Sequence, residues 1–78
     1  MPLISMAQQT YVPDDNFEAA LEYMGIGNGI PNDNYVTTAN ISNVIDLYLN
    51  NLGIYDLTGI EDFTSLEYID AGNNYIKS

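Results

Sequence analysis

Residues 41–54 read ISNVIDLYLNNLGI, and residues 63–76 read FTSLEYIDAGNNYI. Laid over one another with a step of 22 residues, the apolar positions Ile41, Val44, Leu47, Leu49, Leu52 and Ile54 fall on Phe63, Leu66, Ile69, Ala71, Asn74 and Ile76. Five of the six partners are apolar, and the sixth is an asparagine. Self-similarity at a fixed period is the mark of one supersecondary unit used twice. Within each copy, Leu47 and Leu49, or Ile69 and Ala71, stand two apart, so in a strand they share one side. Asp46, Tyr48 and Asn50, and in the second copy Tyr68, Asp70 and Gly72, then face the other way. The spacing predicts short parallel strands over 46–49 and 68–71, joined by a return through DLTGIED at 56–62.

The order of leucine-like positions and asparagine in the second copy, Leu66 to Ile76, follows the L-x-x-L-x-L-x-x-N-x-L spacing of a leucine-rich repeat. An asparagine at the place of Asn74 has a physical task there: its amide bonds backbone groups that a tight turn leaves unpaired. The first copy carries Leu52 at that position, so a ladder of such amides cannot extend back to it. Leu52, Ile54, Leu57 and Ile60 are expected to fill the interior. The predicted fold class is an α/β solenoid, an N-terminal helical cap followed by about two leucine-rich-repeat coils with short parallel strands. Its expected boundaries are 10–40 for the cap and 41–78 for the repeats, the second of which, 63–78, is incomplete.

Ahead of the repeats, Phe17, Ala20, Leu21 and Met24 make one apolar helical stripe. Asp15 is expected as N-cap with Glu18 as its capping-box partner, and Gly25 as the stop. A short extended piece at Tyr11 or Val12 precedes Pro13. Gly25 to Asn34 (GIGNGIPNDN) reads as a loop. Asn28, Asn32, Asp33 and Asn34 offer oxygen atoms, yet the order of an EF-hand is absent, so the loop is read as a connection and no metal or cofactor is expected. A short second helix is expected within 36–45, with Thr37 and Thr38 as caps. Residues 1–9 (MPLISMAQQ) carry a small-x-small order at Ser5-Met6-Ala7. They read either as the tail of an export signal or as a disordered start.

The balance of charge removes whole classes of partner. Eleven acidic residues stand against one basic residue, Lys77, for a net charge of −10 over 78 residues. Such a chain repels phosphate backbones and anionic lipid, which argues against nucleic acid and membrane surfaces. Hydrophobic residues make up 46% of the chain, enough for a core. With neither histidine nor cysteine, the usual general base, thiol nucleophile and transition-metal ligands are missing. The adjacent acids Asp14-Asp15 and Glu61-Asp62 do not face one another across a cleft, and no nucleophile or phosphate-loop motif is present. The expectation is a protein that is not an enzyme.

The segments YVPDDNFE (11–18), YVTTANI (35–41) and DLTGIEDF (56–63) together resemble the N-terminal cap and first repeats of secreted bacterial leucine-rich-repeat proteins of the internalin-like type. That resemblance implies export or a cell-surface location, and a protein or glycan partner bound on the concave strand face. The contact residues it points to are Asp46, Tyr48, Asn50, Tyr68 and Asp70, with Asn73 at the edge. Exposed tyrosines beside carboxylates suit partners that present Lys, Arg or sugar hydroxyls. The alternative is a purely structural cap that seals a longer solenoid and has no ligand of its own. Because the second coil lacks a cover, the expectation is a fragment whose open end meets further repeats or a dimer partner.

Overall fold

The computed structural model describes residues 8–76. Its order is strand β1 (Gln9–Tyr11), helix α1 (Asp15–Tyr23), strand β2 (Tyr35–Thr37), helix α2 (Thr38–Ile41), strand β3 (Asp46–Tyr48), a 3₁₀ turn (Ile60–Asp62) and strand β4 (Tyr68–Asp70). These make two separate two-stranded sheets. β1 and β2 run antiparallel with Thr10 opposite Val36, and β3 and β4 run parallel with Leu47 opposite Ile69.

The helix forms where the apolar stripe predicts it, but its N-cap lies one residue before the expected Asp15, which is the first helical residue. Asp14 is the N-cap, and its Oδ1 accepts from the N–H groups of Asn16 and Phe17, both at 2.9 Å. Glu18 does not close a capping box. Its side chain is only 1% exposed and turns away to accept from the N–H groups of Asp33 at 3.1 Å and Asn34 at 2.9 Å. The stripe is buried at Phe17 and Leu21, whereas Met24 lies at the helix end with 41% of its surface exposed. Burying a phenylalanine of this kind stabilises the fold by about 1.5–3 kcal/mol.

The loop after α1 is held by the helix's own acids. Glu22 accepts from the N–H groups of Asn28 and Gly29, each at 3.0 Å, so the loop folds back over the last turn. Asn28 in turn donates through Nδ2 to Asp33 at 2.6 Å. That bond, more than any other influence, holds the Asp33 carboxyl below the usual aspartate range. Burial pushes Glu18 the other way, above the usual glutamate range, and the Asn34 N–H only partly offsets it. The oxygen-rich loop of 25–34 is thus tied to α1 through Glu18 and Glu22 and braced internally by the Asn28–Asp33 bond.

The expectation of a solenoid is overturned. Among the described residues there is one parallel pair of three-residue strands, and the other sheet is an antiparallel pair that owes nothing to the 22-residue step. A repeat array needs coils that cover one another in succession. Here the first copy is covered by the N-terminal segment instead. One core cluster joins Val12, Phe17, Leu21 and Val36 to Ile41, Leu47, Leu49, Ile54 and Phe63. Phe17 stacks on Phe63 with ring centroids 6.2 Å apart and planes at 20°. The second copy stays at the margin: Ile69 is 38% exposed, and Leu66 and Ile76 only partly pack on the core. Leu52, read as interior, is 40% exposed. The molecule is a small globule of two helices and two small sheets in which residues expected to seal an array supply much of the core.

Specific polar bonds weld the N-terminal segment to the return between β3 and β4. Asp14 Oδ2, the oxygen not used at the helix, accepts from Tyr55 N–H at 2.8 Å and Asp56 N–H at 3.1 Å. Asn16 Nδ2 donates to the Gly53 carbonyl at 3.0 Å. The buried Thr10 hydroxyl donates to Asp62 at 2.8 Å and so must accept from Thr38, 2.7 Å away. Gly59 has φ of 109°, and a Cβ there would lie 2.8 Å from the Tyr11 carbonyl oxygen and 2.9 Å from a Val12 methyl. Only glycine lets the two segments approach this closely.

The second helix is shorter than the expected window. Thr37 occupies the N-cap position without a side-chain cap bond, and the residues before it belong to β2. Gln9 at the start of β1 pairs with Thr37, and the Gln8 carbonyl accepts from Thr38 N–H at 2.9 Å. The small-x-small order of the export-signal reading, Ser5-Met6-Ala7, lies outside the described residues.

Candidate functional site

The face predicted for partner binding is built on β3 and β4. Leu47 and Leu49 point into the core at 1% and 0% exposure, which turns Asp46, Tyr48 and Asn50 outward. The parallel register then sets Asp46 opposite Tyr68 and Tyr48 opposite Asp70, a checkerboard in which each tyrosine faces an aspartate. The two rings meet along the diagonal with centroids 5.6 Å apart and planes tilted at 50°. Both stay open to solvent, Tyr48 at 56% and Tyr68 at 50%. Tilted contacts at this distance are favourable and hold the aromatic faces in place.

The ladder beneath is longer than the strands. Glu67 and Tyr68 N–H both donate to the Ile45 carbonyl, Leu49 N–H to Asp70, and Asn51 N–H to Gly72, all within 2.7–3.1 Å. Asn74 then ties the end of the pair together. Its Oδ1 accepts from Leu52 N–H at 2.9 Å and Ile54 N–H at 3.0 Å, and its Nδ2 donates to the carbonyls of Leu49 at 2.8 Å and Ala71 at 3.0 Å. A single amide thus satisfies backbone groups on both sides of the turn, the task foreseen for it. Asn51 and Asn73, 22 residues apart, both take left-handed conformations with φ of 62° and 58°. Asparagine tolerates that region better than most side chains. Asn73 is exposed at the edge of the face, and its backbone shapes the turn there. Asp70 is half-buried and accepts from Gly72 N–H at 3.2 Å, which orients its carboxylate at the strand end.

A feature not foreseen adjoins this face. Between α1 and the chain leaving β3 runs an open groove of about 630 Å³, walled by Asn16, Ala19, Ala20 and Tyr23 of the helix and its C-cap Met24, and by Tyr48, Asn50 and Leu52 opposite. Tyr23 is 94% exposed at its rim. Met24 and Leu52, both assigned to the interior by periodicity, instead line this groove with 41% and 40% of their surface exposed. The signal available was the leucine of the first copy standing where the second has asparagine. Tyr48 belongs to both features, with the Tyr48–Tyr68 pair on one side and the groove on the other.

Two further tyrosine pairs lie elsewhere. Tyr55 stacks on Tyr75 at 5.2 Å and 26°, and Tyr11 meets Tyr35 at 5.6 Å and 49°. Many of the carboxylates, by contrast, are engaged by backbone. Asp14, Glu18 and Glu22 accept from backbone N–H groups as described, Asp33 accepts from Tyr35 N–H at 3.0 Å, Glu61 accepts from Gly59 N–H at 3.0 Å, and Asp56 accepts from Thr58. The Thr58 hydroxyl, 2.6 Å away, and its N–H hold the Asp56 carboxyl below the usual aspartate range.

This chain matches no protein-family model, and no curated protein matches it.

Proposed function

We propose that this chain is a non-catalytic binding module that holds a protein or glycan partner against the outer face of β3 and β4. The observation that carries this reading is the exposed Tyr48–Tyr68 pair set between Asp46 and Asp70. Two large aromatic rings kept in solvent by a rigid ladder offer apolar area with little further loss of conformational freedom on binding. The neighbouring carboxylates supply acceptors for basic groups or sugar hydroxyls. The use of so many other carboxylates as backbone acceptors favours a scaffold over an acid–base centre. The likeness of the segments to internalin-like proteins belongs to this proposal, and with it a secreted or cell-surface location.

The test is an array of immobilised glycans and peptides probed with the labelled chain and with the Tyr48→Ala/Tyr68→Ala variant. Spots bound by the natural chain should be lost in the variant. Spots that survive unchanged would assign binding to another surface.

A further inference from the structure

We infer that the partner is a cationic peptide segment with an apolar side chain, its Lys or Arg lying over the Tyr48–Tyr68 pair and its apolar residue seated in the groove against α1. The inference rests on the binding reading above and specifies the partner's chemistry.

Three observations meet at Tyr48. The diagonal pair Tyr48–Tyr68 presents aromatic faces to solvent, and a guanidinium or ammonium group is attracted to such faces. The parallel register sets a carboxylate opposite each ring, Asp46 facing Tyr68 and Asp70 facing Tyr48. A cation over the rings therefore lies between two acids, and an anion there would be repelled by both. The chain as a whole carries a net charge of −10, so the long-range field selects the same sign of partner. Tyr48 also walls the groove, whose helix side sets Ala19, Ala20 and Met24 beside Asn16 and Tyr23 and whose opposite side ends at Leu52. Small alanines leave space between larger apolar walls, which suits an aliphatic side chain. A ligand with a positive group and an apolar group a few residues apart satisfies both halves; a neutral glycan leaves the groove empty and the acids without a cation.

The probes are three capped hexapeptides built on glycine: one with two arginines and a leucine, one with the leucine replaced by serine, and one with the arginines replaced by glutamates. Each is titrated into the full ¹⁵N-labelled chain and followed by amide chemical shifts. The arginine–leucine peptide is expected to shift Tyr48 and Tyr68 together with Ala19 and Met24, and to bind about tenfold more tightly than the serine peptide. The glutamate peptide should cause no saturable shift, and added salt should weaken the arginine peptides. Ala19→Phe, a change at an exposed helical position, fills the groove and should abolish the advantage of the leucine peptide over the serine peptide. Equal affinity for the leucine and serine peptides, equal binding of the glutamate peptide, or shifts spread evenly to acids such as Asp56 and Glu61 would each overturn the inference. Array spots lost in the Tyr48→Ala/Tyr68→Ala variant, with no gain from leucine, would leave the binding face standing and remove only the cationic, groove-seated partner.

Discussion

The Asp14 carboxylate accepts the Tyr55 N–H at 2.8 Å with one oxygen while its other oxygen caps the helix that begins at Asp15. One side chain thus fixes the start of α1 and the position of α1 against the chain leaving β3, the two walls of the groove. Asp14→Ala removes the acceptor from four amides, those of Asn16, Phe17, Tyr55 and Asp56. The expected loss is about 2–4 kcal/mol, because a cap is worth about 1 kcal/mol and charge-assisted bonds add to it. Urea unfolding followed by circular dichroism measures it. A loss under about 0.5 kcal/mol, typical of an unremarkable surface change, would show that the weld is unimportant.

Asn74 should be as sensitive for a different reason. Asn74→Leu keeps the size of the side chain but leaves the N–H groups of Leu52 and Ile54 and the carbonyls of Leu49 and Ala71 without their partner. Part of that set can turn to water, so the expected cost is about 2–3 kcal/mol. The diagnostic measurement is hydrogen exchange at Ile54, a buried residue whose amide should lose its protection in the variant. Unaltered protection at Ile54 would mean that the amide bond to Asn74 is not what shields it.

These two residues show how far the sequence could be read. The 22-residue step located β3 and β4 and predicted their parallel direction, because strand periodicity and repeat spacing agree there. Asn74 was recognisable because an asparagine in an apolar column needs a polar task. The cap was placed one residue late, since Asp14 and Asp15 are chemically equivalent choices and only the backbone geometry distinguishes them. Of the first sheet only the extended piece at Tyr11, the last residue of β1, was legible, and β2 was not: three residues each, QTY and YVT, are too few to display a period of two. The solenoid was an extrapolation from one repeat step to an architecture, and what decides architecture is which residues cover the core. Phe17, Leu21 and Val12 do so from outside the repeat. For the same reason periodicity put Met24 and Leu52 inside, where the structure leaves them on either side of an open groove.

Acid should disturb the loop through Asp56. Its carboxyl is held low by the Thr58 hydroxyl and N–H, so the folded value lies beneath the unfolded one. A depressed carboxylate contributes stability above its unfolded value, around pH 3.8, and loses that contribution as pH falls through the folded value. Thr58→Val deletes the hydroxyl donor at 2.6 Å, and the Asp56 titration, followed by carboxyl ¹³C shifts, should move upward toward the ordinary range. The variant's stability deficit should be present at neutral pH and fade once Asp56 is protonated in both proteins. An unmoved Asp56 titration would assign the shift to another donor.

The most direct measurement pairs folding with binding in the Tyr48→Ala/Tyr68→Ala variant. Both rings are half in solvent and neither belongs to the core cluster, so the pair should be dispensable for the fold. The predicted result is a melting temperature within about 8 °C of the natural chain, corresponding to about 1 kcal/mol in a domain of this size, together with loss of the bound spots on the glycan and peptide arrays. Undiminished binding by the folded variant would contradict a partner face on β3 and β4, and outright unfolding would contradict the assignment of these tyrosines to a solvent face.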